Sequence, residues 1–190
     1  MAVSPYCTIG PFFPASFVEG HDDLTHFRGG TARGQHIVLS GRILQEGGVP
    51  TRNTILEIWQ PDSNGIFRSS GDPRCREADP GFAGWGRART DAEGWYRIRT
   101  VVPGSYGDRC PHANLMILAI GLTRRLVTTV FFPNAPDADP DSARDPVLDC
   151  VKDAAARRRL FATREKADAY RFDLILRGER GENETPFFLD

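Results

Sequence analysis

The sequence lacks several features that would place it in a broad functional class at once. Its longest apolar run covers eight residues, 115–122, whereas a membrane-spanning helix needs about 20, so we expect no membrane partner. Lys plus Arg number 24 and Asp plus Glu number 25, a net charge of −1. The basic excess that attracts nucleic acid is therefore missing. The first residues have neither the basic start nor the apolar stretch of a secretory signal, which predicts a cytoplasmic protein.

Cysteine is scarce, and its spacing is unlike that of a disulfide framework. The four cysteines are Cys7, Cys75, Cys110 and Cys150, separated by 68, 35 and 40 positions and without a Cys-x-x-Cys pair. This pattern favours reduced, structural thiols over disulfides or a zinc site. The glycine-rich stretches at 29–34 and 84–86 match no phosphate-binding loop, and Ser105 does not stand in a hydrolase elbow.

Proline and glycine, by contrast, are plentiful. Fourteen prolines and nineteen glycines separate short stretches that are rich in β-branched and aromatic residues, which is typical of an all-β domain. Residues 170–177 alternate apolar and polar side chains, so one face of that strand should be buried. The predicted strands are 35–44, 54–60, 96–99, 114–122, 126–132 and 170–177. We therefore predict a β-sandwich of mostly antiparallel strands.

The domain organisation follows from length and local composition. A chain of 190 residues and 21.1 kDa is long enough for one hydrophobic core. Residues 1–34 contain many Pro, Gly and Phe but little alternation, so we predict an extended amino-terminal arm followed by one sandwich domain at 35–190. Asp145 and Pro146 form a helix-start signal, and a short helix is expected to end near Arg159. One or two short helices should complete the fold.

An ordered set of motifs along nearly the whole chain resembles the intradiol ring-cleaving dioxygenases. The motifs are TIGPFF at 8–13, ILEIWQPD at 55–62, NG at 64–65, GWGR at 84–87, RTVVPG at 99–104, PHAN at 111–114, DPVL at 145–148, YRFD at 170–173 and NETPFF at 183–188. The later motifs are similar to the α chains of those members that cleave protocatechuate with two kinds of chain.

The resemblance implies a β-sandwich subunit that assembles with a homologous β chain. The pair would open a catechol ring between its two hydroxyl-bearing carbons with O₂, giving a cis,cis-muconate (3-carboxy-cis,cis-muconate from protocatechuate). The metal that the resemblance implies is a non-haem Fe(III) held by two tyrosines and two histidines, a hard oxygen and nitrogen donor set.

The implied iron ligands are only half present in this sequence. The first tyrosine position is Phe67, which has no donor atom, and the second is met by Tyr106. The first histidine position is His112, whereas the second is Asn114, a neutral amide and a weak ligand for ferric iron. We therefore expect these four positions to be vestigial, with no catalytic residue and no metal in this chain. The Fe(III) is expected in the partner β chain.

The amino-terminal arm is the segment that the resemblance assigns to the substrate pocket. The matching residues are Thr8, Gly10, Pro11 and Phe12, which would help to wall the pocket beside the partner's iron. Independently, two consecutive phenylalanines, Phe12 and Phe13, are too apolar for an arm that packs on nothing. The alternative is that both rings dock on this chain's own sandwich.

One substitution concerns substrate preference. Where the similar α chains carry an arginine near the pocket, this sequence has Ile120. A bound carboxylate would lose a charge-assisted hydrogen bond, worth about 1.5–3 kcal/mol. Arg124, Arg125 or the partner chain could supply the charge instead, or the preferred catechol could carry a different substituent. We predict that protocatechuate remains a substrate and that Ile120 broadens or shifts the preference.

Two other functions remain open at this point. One is a non-catalytic β-sandwich binding domain that needs no partner. The other is a homo-oligomeric iron dioxygenase with a ligand set that the motifs do not reveal, in which His21 or His26 of the arm completes the site. A partner-dependent subunit should expose a large apolar surface and be poorly soluble alone, whereas a binding domain should be a soluble monomer.

Overall fold

A computed structural model describes residues 13–133, 140–179 and 182–188. Its elements are β1 (His26–Phe27), β2 (Gly30–Thr31), β3 (His36–Leu44), β4 (Ile55–Trp59), β5 (Trp85–Arg89), β6 (Trp95–Val101), β7 (His112–Leu118), β8 (Leu126–Phe131), α1 (Pro146–Cys150), α2 (Ala154–Arg158), β9 (Thr163–Lys166), β10 (Ala169–Arg171) and β11 (Leu174–Ile175). Each α-helix has five residues, and no helix in the described ranges is long and apolar enough to cross a membrane.

Two sheets form the sandwich. In the first, β3 pairs antiparallel with β6 on one side and parallel with β10 and β11 on the other, while β9 extends the sheet beyond β10. The second sheet has the order β5-β4-β7-β8 and is antiparallel throughout. The predicted fold class, a mostly antiparallel β-sandwich with a few short helices, is confirmed.

Alternation along the strands builds the core between the sheets. Leu39 of β3, Ile98 of β6 and Leu115 of β7 point inward and are fully buried, whereas their sequence neighbours face outward. β7 lies between β4 and β8, which explains its nearly continuous apolar sequence. Truncation of one such side chain, for example Leu115→Ala, should destabilise the fold by about 2–5 kcal/mol.

Two sequence-predicted elements are interrupted in the structure. The single helix expected from Pro146 to near Arg159 is wrong: Val151 adopts an extended conformation, and the Asp153 carboxylate accepts a hydrogen bond from Ala156 N, so a second helix begins there. The predicted strand 170–177 is divided between β10 and β11, because the Asp173 carboxylate accepts a hydrogen bond from Arg42 N of β3.

The described part of the predicted amino-terminal arm, residues 13–34, lies against the sandwich. Leu24 is fully buried in the core, and β1 and β2 form a small hairpin. The Phe13 ring stacks on Phe17 at 5.2 Å, and Arg89 of β5 donates a hydrogen bond to Phe13 O at 2.6 Å. Phe13 therefore docks on this chain. The four arm residues assigned to the substrate pocket, Thr8, Gly10, Pro11 and Phe12, lie outside the described residues.

Candidate functional site

Three of the four predicted vestigial positions come together at the start of β7. The Phe67 ring meets Tyr106 edge-on, with centroids 4.9 Å apart, and lies 6.2 Å from the His112 ring. His112 in turn lies 6.1 Å from Phe131 of β8. We call these four residues, Phe67, Tyr106, His112 and Phe131, the ring cluster. It joins the long β4–β5 loop, the β6–β7 loop and the sheet.

The fourth position, Asn114, lies two residues along β7 on the same face as His112, because side chains repeat with period two. It stands opposite Thr129 of β8, whose hydroxyl donates a hydrogen bond to the Asn114 amide oxygen at 3.2 Å. The Asn114 amide oxygen, the atom of this side chain that could bind a metal ion, is therefore engaged in a hydrogen bond between β7 and β8.

The surroundings of His112 favour its neutral imidazole. Only 1% of the residue is exposed, and its Nδ1 lies 2.7 Å from Cys110 O. A carbonyl oxygen can only accept, so Nδ1 carries the proton and Nε2 keeps a lone pair. Burial and then the nearby Arg109 guanidinium lower the pKa of His112, although Cys110 O and the Asp145 carboxylate act in the opposite direction.

A buried ion pair supports the ring cluster from the side of α1. Arg109 Nε lies 2.9 Å from each carboxylate oxygen of Asp145, and the guanidinium lies 5.8 Å from the Phe131 ring centroid. The same carboxylate accepts hydrogen bonds from Cys110 N and from Val147 N, the latter as the cap of α1. One carboxylate thus fixes the loop before β7 to the start of a helix.

The β4–β5 loop is organised by three more buried carboxylates that the sequence analysis did not single out. Asp62 accepts hydrogen bonds from the backbone N–H groups of Asn64, Ile66 and Asp79. Asp72 accepts from Arg74 N and, with a smaller effect, from Phe67 N, and these bonds lower the pKa of Asp72. Asp79 accepts from Arg33 N and Gly81 N. Loop carboxylates have no periodicity, but each of these three aspartates accepts a hydrogen bond from the N–H two residues further on, which is the pattern of an Asx turn.

The residues at the four implied ligand positions, Phe67, Tyr106, His112 and Asn114, do not fit the four-donor ferric site that the resemblance implies. Phe67 offers no donor atom, and Asn114 offers an amide whose oxygen is already engaged. Tyr106 and the Nε2 atom of His112 are two donors out of four. Across residues 13–133, 140–179 and 182–188, no three His, Cys, Asp or Glu side chains gather as a metal-ion site. Cys75, Cys110 and Cys150 are free thiols.

The two arm histidines considered as substitute ligands make other contacts. The His21 ring packs against Trp85 of β5 at 5.7 Å. His26 Nδ1 lies 3.0 Å from the Thr25 hydroxyl and 3.6 Å from the Asp23 carboxylate. Neither contact joins the ring cluster.

Ile120 lies at the opposite end of β7 from His112. It is 54% exposed on the turn that follows Leu118, the last residue of the strand. The six steps from His112 to Leu118 span roughly 20 Å at about 3.3 Å per residue. The structure therefore does not bring Ile120 to the ring cluster of its own chain, and its role in a pocket stays a prediction.

Comparison with known proteins identifies the family. A family model described as Dioxygenase matches residues 8–178. The chain is 39% identical over 165 residues to a protocatechuate 3,4-dioxygenase β chain from Burkholderia cepacia, covering 80% of this chain and 68% of that one. It is 32% identical over 197 residues to the α chain from the same species, covering 97% and 96%. The protein therefore belongs to the intradiol ring-cleaving dioxygenase family.

Solved structures agree with the fold. The dioxygenase domain of a dioxygenase and carbohydrate-binding fusion protein from Streptomyces sp. SirexAA-E superposes with a TM-score of 0.59 at 25% identity, covering 92% of this chain and 97% of that one. An intradiol ring-cleavage dioxygenase from Tetranychus urticae gives 0.58 at 17% identity, covering 92% and 94%. This second likeness concerns the fold alone.

Proposed function

We propose that this chain is the α-type subunit of a two-chain intradiol dioxygenase. In that assembly a homologous β chain holds the Fe(III), and this chain forms part of the substrate pocket beside it. The reaction is ring cleavage of protocatechuate or a related catechol with O₂ to a cis,cis-muconate, which is 3-carboxy-cis,cis-muconate when protocatechuate is the substrate. The subunit is not expected to be active alone.

The ring cluster is the observation that carries this proposal. An apolar phenylalanine packs edge-on against Tyr106 where the family places a metal-binding tyrosine, and the partner of His112 is an asparagine. A family member that lacks two of the four iron ligands needs another chain to supply the metal. The match over 96% of the length of an α chain supports the same assignment.

Two parts of the chain are assigned to the substrate pocket. Thr8, Gly10, Pro11 and Phe12 are the first candidates, and they come just before Phe13, whose carbonyl oxygen accepts a hydrogen bond from Arg89 of β5. Ile120, exposed on the β7–β8 turn, is the second candidate, and it would meet the substrate in the pocket of an assembled enzyme rather than beside His112.

The experiment is co-expression with a candidate β chain, followed by iron analysis and oxygen consumption with protocatechuate. The proposal predicts negligible iron and activity for the lone chain, and about one iron atom and ring cleavage for each pair. In the assembled enzyme, Ile120→Arg should change the preference between protocatechuate and unsubstituted catechol. Unchanged catalytic efficiency toward both substrates would show that Ile120 does not belong to the pocket.

A second candidate is a self-sufficient iron dioxygenase of identical subunits. The observation in its favour is the 39% identity to a β chain, against 32% and 33% to two α chains. It predicts stoichiometric iron and activity in the lone chain, so the same experiment distinguishes the two.

A further inference from the structure

The described amino-terminal segment begins with a short turn on the outer face of β5. Residues 15–17 form a single 3-10 turn, in which Phe17 N donates a hydrogen bond to Pro14 O at 3.0 Å. None of these three residues is buried in the core. A 3-10 turn is short and its hydrogen-bond geometry is poor, so its position depends on the side chains that it contacts. We call residues 13–17 the arm root.

Two arginines of β5 hold the arm root through its carbonyl groups. Their side chains share the outer face of the second sheet, because they alternate with buried residues along the strand. Arg89 Nη2 donates to Phe13 O at 2.6 Å and to Pro14 O at 3.3 Å. Arg87 Nη1 donates to Phe17 O at 3.3 Å. Hydrogen bonds from a charged donor are roughly twice as strong as neutral ones, so these side chains fix both ends of the arm root.

Ring contacts add to these hydrogen bonds. The Phe17 ring centroid lies 5.2 Å from the Phe13 centroid and 3.7 Å from Arg87 Cζ. Arg87 Cζ also lies 4.5 Å from the Trp85 centroid, and Arg87 Nε lies 2.5 Å from a carboxylate oxygen of Glu57 on β4. The side chains of Arg87 and Glu57 are only 20% and 13% exposed. A guanidinium is attracted to an aromatic face more strongly when it is shielded from water, so Arg87 holds the Phe17 ring as well as its carbonyl oxygen.

Arg89 contributes to position more than to stability. Its Nη2 atom serves two carbonyl oxygens, whereas its Nε atom is buried without a hydrogen-bond partner among the described residues. A buried donor without a partner has a desolvation cost, which offsets part of what the two hydrogen bonds contribute. The net gain to the fold is therefore small, and what the arginine provides is a fixed place for Phe13, the first described residue.

The position of Phe13 decides what the preceding residues can reach. Thr8, Gly10, Pro11 and Phe12, which are assigned to the substrate pocket, all lie within five residues of Phe13 in the sequence. Five fully extended residues span at most about 18 Å. A segment this short cannot compensate for a root that moves away, and a displacement of about 1 Å in a pocket group can already impair an enzyme.

We propose that Arg89, supported by Arg87, is a positioning residue for substrate binding in the assembled enzyme. Neither arginine is assigned a contact with the substrate, because both act through residues 8–12. The inference rests on the proposed function, in which residues of that segment wall the pocket beside the partner's iron. A wall that contacts the substrate equally in the ground state and in the transition state contributes uniform binding, so its displacement raises KM and leaves kcat nearly unchanged.

The first measurement compares the co-expressed wild-type pair with Arg89→Ala. We expect KM for protocatechuate to rise at least about fivefold, with kcat changed by less than about twofold and with iron per pair unchanged. Arg89→Lys retains a charged donor and should recover part of the loss. Arg42→Ala on the first sheet is the matched control, because Arg42 Nε also donates to a backbone carbonyl, that of Glu93, at 3.0 Å. It should leave KM unchanged.

A double-variant cycle separates positioning from a merely structural role. Deletion of residues 1–12 removes the segment through which Arg89 acts and should itself raise KM. In the deleted pair, Arg89→Ala should have no further effect on KM, whereas a structural role would give the same loss in both backgrounds. Phe17→Ala removes the ring contacts of the arm root, leaves Arg89 in place and should raise KM of the full-length pair in the same way.

The lone chain reports the arm root directly. The amides of Phe17 and Val18 donate to Pro14 O and Ala15 O, and their hydrogen exchange should be faster in Arg89→Ala than in the wild type. The melting temperature should change little. Unchanged exchange of both amides would overturn the role of Arg89.

Failure of positioning by Arg89 can be told from failure of the proposed function. If the wild-type pair holds iron and cleaves protocatechuate while Arg89→Ala keeps the wild-type KM, positioning by Arg89 is wrong and the subunit assignment stands. Equal KM increases for Arg89→Ala in the full-length and deleted pairs would also overturn it. A wild-type pair without iron or activity would overturn the proposed function, and positioning by Arg89 with it.

Discussion

The loops around the ring cluster and the ring cluster itself are built by different chemistry. In the loops, Asp62, Asp79 and Asp145 are buried and each accepts hydrogen bonds from two or more backbone N–H groups. In the cluster, Phe67 and Tyr106 make an edge-on ring contact. This scaffold is charged, although Arg109 Nη2 is buried without a hydrogen-bond partner among the described residues, whereas the ring cluster at the centre is apolar and offers few metal donors. Many buried hydrogen bonds therefore position the ring cluster. Two residues, Phe67 and the neighbouring Asn114, deprive the four implied ligand positions of a full set of metal donors.

This difference predicts an order of stability effects. A hydrogen bond to a charged group contributes about 1.5–3 kcal/mol, and a buried ion left without its partner costs more. An aromatic pair contributes about 0.5–1.5 kcal/mol beyond the area that it buries. Mutations in the scaffold should consequently unfold the protein more readily than mutations in the cluster.

The largest effect is expected for Asp145→Ala. The change leaves the Arg109 guanidinium buried beside Phe131 without a counter-ion and removes the cap of α1. We expect the free energy of unfolding in urea to fall by about 3–5 kcal/mol. Asp153→Ala is the matched control, because Asp153 caps α2 through a single exposed bond, and it should cost about 1 kcal/mol. Equal losses for the two variants would contradict the role of the Arg109–Asp145 pair.

A smaller effect is expected for Phe67→Ala at the centre. The ring is half-buried and contacts Tyr106 and His112, so its removal should lower the free energy of unfolding by about 1–2 kcal/mol, less than the 3–5 kcal/mol of a fully buried Phe. Tyr106→Phe retains the edge-on contact and should leave the stability nearly unchanged. If Phe67→Ala lowered the free energy of unfolding as much as Asp145→Ala, the proposed difference between the loop scaffold and the ring cluster would be contradicted.

The smallest effect is a pH dependence that arises from His112. Its pKa in the folded chain lies below the unfolded value of about 6.5. As the pH falls through 6.5 the unfolded chain therefore takes up a proton first. The contribution of His112 is complete above about pH 7 and is lost as the pH falls below 6.5 toward the folded pKa. Urea midpoints between pH 8 and pH 5.5 should decline less for His112→Gln than for the wild type.

The exposed His26 provides the control for that series. Its side chain is 65% exposed, so His26→Gln should retain the decline seen for the wild type. If His112→Gln and the wild type declined in parallel, the buried and neutral state of His112 would be contradicted.

The sequence predicted the strands of the sandwich well, because alternating apolar and polar side chains mark the strand face that is buried. The predicted strand 35–44 corresponds to β3 at His36–Leu44, and Thr54–Gln60 frames β4. It missed β9, whose four residues, Thr163–Lys166, are all polar and pair at a sheet edge without an apolar face. It also merged α1 with α2, since a helical spacing of apolar residues, Val147, Leu148, Val151, Ala154 and Ala155, continues across the extended residue Val151.

The sequence motifs identified positions that lie near one another in the fold, but not the groups that support them. The ordered motifs located Phe67, Tyr106, His112 and Asn114, and the structure places the Phe67 ring next to both the Tyr106 and the His112 rings. Asp145 was predicted as a helix start, but its ion pair with Arg109 was not, and Asp62, Asp72 and Asp79 were not singled out, because no periodicity marks a loop carboxylate that bonds backbone N–H groups.

Ferric iron binding by the isolated chain tests the central claim most directly. The wild type should be compared with the double variant Phe67→Tyr, Asn114→His after incubation with ferric salt, removal of free metal and analysis of iron per chain. We predict negligible iron in the wild type, and an iron content in the double variant that approaches one atom per chain, because only the double variant has four donors. Stoichiometric iron in the wild type would contradict the account.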